Sequence, residues 1–77
     1  MKDKLDKIEK LEDENVIITF SDGCIMNIKI ISTMHIRDGN DFVGDVLEIN
    51  CSKDHWHPAI GQAININVAD IIKIKKV

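Results

Sequence analysis

The side chains best equipped for chemistry crowd into one short stretch, "CSKDHWHP" (51–58), which holds Cys51, His55, Trp56 and His57. Cys51, His55 and His57 follow a C-x3-H-x-H spacing and offer three soft-to-borderline donors to a metal. Zinc takes four such ligands in structural sites, or three plus water in catalytic ones. The fourth would come from Asp54, Cys24, His35 or a neighbouring subunit. Two histidines at i and i+2 in an extended segment point to opposite sides, however, and no second closely spaced pair completes a zinc signature. No cofactor is therefore expected. A Cys51–His55 dyad would need an activated thiolate in a cleft with an oxyanion stabiliser, so the chain is not expected to be an enzyme. Binding is the chemistry that remains. Tryptophan is enriched at the centres of protein interfaces, and Pro58 fixes its own φ while biasing His57 towards an extended shape. His55, Trp56, His57 and Pro58 read as a stiff protein-binding tip, whose stiffness lowers the ordering cost of contact and whose imidazoles make that contact pH-sensitive. A second set suits nucleic acid: Trp56 as a stacking platform, with Lys29, Arg37, Lys53, Lys73 and Lys75 supplying positive charge.

The elements that must position these residues follow from hydrophobic periodicity. Leu5, Ile8 and Leu11 recur every three residues in "DKLDKIEKLEDEN", the only stretch with helical period. Asp3 suits its N-cap and Asn15 its end, so residues 1–15 are expected to form an amphipathic helix docked on the remainder. From Val16 the period is two. Val16, Ile18 and Phe20 share a face of strand one, and "SDG" (21–23) supplies a turn. "CIMNIKIISTMHIRD" alternates for so long that one bent strand is expected, with Met26, Ile28, Ile30, Met34 and Ile36 inward. "DGND" (38–41) turns into "FVGDVLEIN", with Val43, Leu47 and Ile49 on one face and Gly44 permitting a bulge or a close crossing. Ile64, Ile66 and Val68 alternate in strand four. "AD" (69–70) is a tight break or a 3₁₀ turn, and Ile72 and Ile74 alternate with Lys73 and Lys75 in a short last strand.

Bulk properties narrow the function classes. A chain of 77 residues is one domain, with a core that must be used fully. Its hydrophobic fraction of 44% excludes disorder, and its 4% aromatics make that core aliphatic and β-branched. The net charge of −3 gives no global attraction for nucleic acid or anionic lipid. The N-terminus "MKDKLDKIEK" carries no apolar export segment, and no apolar run reaches the length of a bilayer span. Cys24 and Cys51 could pair in principle, but the expectation is a cytoplasmic protein with no membrane partner and with both thiols reduced. Isoleucine, lysine, asparagine and aspartate usage is compatible with an AT-rich genome, bacterial or phage.

One N-terminal helix and five strands make a mainly β, strongly bent antiparallel small barrel over residues 16–77, whose closure would remove sheet edges. Its interior, filled by side chains, leaves no room for a small-molecule ligand. This order, with "VIITFSDGCIMNIKI" as a strand–DG–strand opening and "ININVADIIKI" as a hydrophobic close, resembles the Sm-like branch of the SH3-type barrels. The resemblance implies that fold, and an RNA-binding oligomer in which strand four of one subunit pairs with strand five of the next. The chain departs from the pattern where Ile28 replaces a second-strand glycine and "VAD" replaces the Arg-Gly or Lys-His turn, so the RNA-contacting residues do not carry over. The function expected is a small non-enzymatic regulatory or assembly module acting through protein contacts or self-association. The alternatives are an Sm-like RNA-binding oligomer and a zinc-stabilised loop.

Overall fold

Period-two patterning from Val16 onwards becomes five antiparallel strands that curl around one aliphatic core. A computed structural model describes residues 2–51 and 59–77 as α1 (Lys2–Glu9), β1 (Asn15–Phe20), β2 (Ile25–Ser32), β3 (Asp41–Asn50), β4 (Ala63–Asn67), a 3₁₀ turn (Val68–Asp70) and β5 (Ile71–Lys76). The strand order is β4-β3-β2-β1-β5. β4 and β5 are thus the two ends of an open sheet, and the expected closure into a barrel is not met by any ladder between them. Both ends still feed one core: Ile66, Val68, Ile71 and Ile74 join Val16, Ile18, Ile28, Ile30 and Phe42 there. No described helix is long and apolar enough to cross a membrane.

The β1–β2 turn forms as its residues dictate. Gly23 adopts φ 90°, a conformation that costs glycine little. The Phe20 N–H donates to the Cys24 carbonyl at 2.8 Å, and the Asp22 carboxylate accepts from the Cys24 N–H at 2.9 Å. The 3₁₀ turn likewise appears where "AD" breaks the alternation, with the Asn67 side chain accepting from the Ala69 N–H at 2.9 Å.

Three bulges explain where simple alternation fails. The register passes over Ile31 on β2, Leu47 on β3 and Ile72 on β5. Each is left unpaired, as the extra residue of a bulge is, and each is exposed. The bulge at Leu47 switches the inward set of β3 from Phe42, Gly44 and Val46 to Ile49 and Cys51, which pack on the core. The single face expected for Val43, Leu47 and Ile49 is corrected accordingly. The bulge at Ile72 makes Ile71 and Ile74 the buried pair of β5, instead of Ile72 and Ile74. Gly44 meets its expectation of a close crossing: a Cβ there would overlap Ile28 Cγ2 and lie 3.3 Å from the Lys29 carbonyl.

The ends of α1 and β2 also differ from expectation. The helix already includes Lys2 and ends at Glu9, so Asp3 is not its N-cap, and Asn15 belongs to β1. Ile8 is fully buried, while Leu5 and Leu11 are partly buried against the core. β2 stops at Ser32, followed by turns in which Met34 is 78% exposed and Ile36 returns to the core at 1%. Glu12 fixes that stop: its carboxylate accepts from the Thr33 N–H at 2.8 Å and from the Thr33 hydroxyl at 2.9 Å. These bonds, the backbone one first, hold the Glu12 carboxyl below its ordinary value. A depressed carboxyl contributes stability that is present above the unfolded-state pKa and lost as pH falls through the folded one. Thr33→Val removes the hydroxyl donor and keeps the backbone donor. Its expected result is a Glu12 titration midpoint raised part of the way to the ordinary value, read by carboxyl-carbon NMR; an unmoved midpoint would contradict the role given to the hydroxyl.

Candidate functional site: an apolar depression on the outer sheet face

Alternation divides each strand into a core face and an outer face, and directly paired residues share a face. On β1 the outer residues are Asn15, Ile17 and Thr19. The ladders place Lys29 opposite Asn15, Asn27 opposite Ile17 and Ile25 opposite Thr19. Towards β3, Glu48 stands opposite Asn27 and Asn50 opposite Ile25. Towards β5, Lys75 stands opposite Ile17 and Lys73 opposite Thr19. Ile17, Ile25, Asn27, Glu48 and Asn50 of this face, together with the intervening Ile49 of β3, line a shallow depression of about 290 Å³. Ile17 is 39% exposed and Ile25 38%. Beside them, the Asn27 Oδ1 is buried without a hydrogen-bond partner among the described residues. Such an acceptor carries a penalty of about 1–3 kcal/mol until a donor reaches it.

The electrostatics around the depression are divided. Lys73 and Lys75 flank its β5 side and Glu48 its β3 side, while Lys29 stands directly opposite Asp45. A surface of this kind suits a protein patch carrying apolar groups, a backbone or side-chain donor and mixed charge. Sequence reasoning missed Ile17 and Ile25 as functional residues. The signal was there: "VII" and "CIM" place large apolar residues on both faces of a strand, the pattern of a sheet covered on both sides.

The residues expected to act from sequence fare differently. His55, Trp56, His57 and Pro58, the proposed tip, lie outside the described residues, as does Lys53. Cys51 does not stand as a free metal ligand, because it is joined to Cys24 in a disulfide with Cα atoms 4.4 Å apart. The register explains the meeting: Ile25 pairs with Asn50, so the residues one step further along β2 and β3 are Cys24 and Cys51. The expectation of reduced thiols is corrected by that adjacency, which alternation alone could not foresee. Among the described residues no group of three or more His, Cys, Asp or Glu side chains is placed to hold a metal ion. His35, weighed as a fourth ligand, is exposed beside Asp38 at 3.9 Å.

Of the nucleic-acid set, Trp56 and Lys53 lie outside the described residues. Lys29, Lys73 and Lys75 share the outer face. Arg37 instead lies in the β2–β3 connection and pairs with Glu9 and Asp6 of α1. Those carboxylates, the Glu9 hydrogen bond foremost, raise the guanidinium pKa further above its ordinary value. Arg37 thus ties the connection to the helix, its charge met by two acids.

No family model, curated protein or solved structure matches this chain.

Proposed function

We propose that the chain is a small non-enzymatic regulatory or assembly module that acts through protein contacts, with the outer-face depression as its docking surface. The observation that carries this reading is the buried Asn27 Oδ1, unpartnered among the described residues, beside the exposed Ile17 and Ile25. A partner that covers Ile17 and Ile25 gains apolar burial, and a rotation of the Asn27 side chain on docking brings its Oδ1 out to a donor and removes an existing penalty. The strand order, with β5 beside β1 and a tight turn before it, supports kinship with the Sm-like branch of the SH3-type barrels. That kinship also keeps an RNA-binding oligomer as the alternative function.

A photoreactive side chain in place of Ile25 tests the reading in extract of the native host. Discrete protein adducts are expected, and Ile17→Asp should abolish them while leaving the circular dichroism unchanged. Their absence would defeat the docking surface. Adducts digested by ribonuclease, together with a nucleic-acid absorbance ratio in the purified protein, would transfer the reading to RNA.

A further inference from the structure

The two ends of the open sheet are treated in opposite ways. β5 carries three lysines in "IIKIKK", and α1 lies along it: Lys4 Nζ donates to the Ile71 carbonyl at 2.8 Å and Lys7 Nζ to the Ile74 carbonyl at 3.1 Å. Lysines on an edge, and a helix laid over it, both hinder the addition of a further strand. β4, "AININ", has neither protection. It contains no charged residue and no proline, and among the described residues no group is bonded along its outer side.

The phase of β4 decides which backbone groups are available. The Val46 N–H donates to the Gln62 carbonyl at 3.0 Å and the Val68 N–H to the Asn40 carbonyl at 2.9 Å. Residues 62 and 68 therefore turn their backbone groups towards β3, and by alternation so do Ile64 and Ile66. The N–H and C=O groups of Ala63, Asn65 and Asn67 point to the open side.

From this geometry we infer that β4 is a self-association edge, and that its partner is the β4 of a second copy of this chain. The strand is self-complementary about Asn65. In an antiparallel pair Asn65 opposes Asn65 of the other copy and Ala63 opposes its Asn67, so all three outward residues exchange backbone hydrogen bonds. Ile64, half-buried at the edge, comes to lie beside the other copy's Ile66. With no charge on either strand, nothing repels. Lys4 and Lys7 already occupy two carbonyls of the β5 edge, which disfavours a further strand there, and the two-fold β4 pairing closes on itself as a dimer. Two five-residue strands bury less than the roughly 800 Å² per partner of a stable interface, so the association is reversible and concentration-dependent. The surface is separate from the outer-face depression, and the two inferences fail independently.

The test is sedimentation velocity on the full chain across a wide range of concentrations. The wild type should move from monomer to dimer as concentration rises. Asn65→Lys, at an exposed position, should remain monomeric at every concentration with an unchanged thermal midpoint, and so should Asn65→Asp. An equimolar mixture of the two variants should recover the dimer, since opposite charges then meet on the two-fold. Amide hydrogen exchange at Ala63, Asn65 and Asn67 should slow with concentration in the wild type alone. A wild type that stays monomeric, an assembly larger than a dimer, or a dimer indifferent to Asn65→Lys would each overturn the inference.

Discussion

Gly44→Val is expected to destabilise the fold by about 3 kcal/mol or more, near the upper end of what overpacking a core usually costs. The reason is local and geometric. Gly44 pairs with Ile30 just before the register passes over Ile31, and any Cβ there runs into Ile28 Cγ2. Ile28 is fully buried among other branched side chains, so its methyl has nowhere to go. The Lys29 carbonyl, 3.3 Å from the added atom, belongs to the ladder and cannot retreat without breaking it. A domain of this length is stable by only about 4–12 kcal/mol, so the loss is a large fraction of the whole. Urea unfolding measures it. A double-mutant cycle identifies the cause: Gly44→Ala should cost markedly less in an Ile28→Leu background, because leucine lacks the β-branched methyl that the new Cβ meets. Additive penalties would show that the strain lies elsewhere.

The parts of this fold that were legible from sequence are those where one local signal decided the outcome. "SDG" specifies a turn because a positive φ and a short carboxylate are both supplied there, and "ININ" alternates without interruption. The faces of β3 and β5 were not legible, because a bulge adds one residue and inverts the alternation beyond it. Nothing in "GDVLEIN" or "DIIKIKK" marks which apolar residue is the extra one. That choice is made across the sheet, by where Val46 and Ile74 find room in the core. The end of β2 is a similar case, since Ser32 is its last residue on account of Glu12, twenty-one positions from Thr33 in the chain. The candidate site was half legible. Isoleucines on both faces of β1 and β2 were plain to see. Their convergence with Asn27 needed the register, as did the approach of Cys24 to Cys51.

That approach carries the second large prediction: breaking the Cys24–Cys51 link should lower the unfolding free energy by about 3–4 kcal/mol. The two cysteines are separated by 27 positions, and a cross-link over a loop of this length removes about that much conformational freedom from the unfolded chain. The link also joins the end of β2 next to Cys24 to the end of β3 next to Cys51. Cys24 is 2% exposed, so a reductant reaches the bond through the half-buried Cys51 or through local opening. The expected observations are no titratable thiol in the native protein without reductant, two after unfolding in its presence, and a urea midpoint that falls on reduction. The double variant Cys24→Ala/Cys51→Ala should match the reduced protein and ignore reductant, which separates the cross-link from any other action of the reagent. Two free thiols in the native oxidised protein, or a midpoint indifferent to reduction, would show that the pair contributes packing alone. The core that remains must then hold the sheet unaided: Ile8 and Ile36 share one buried cluster with Ile18, Ile28 and Phe42, and for so short a chain that leaves little margin.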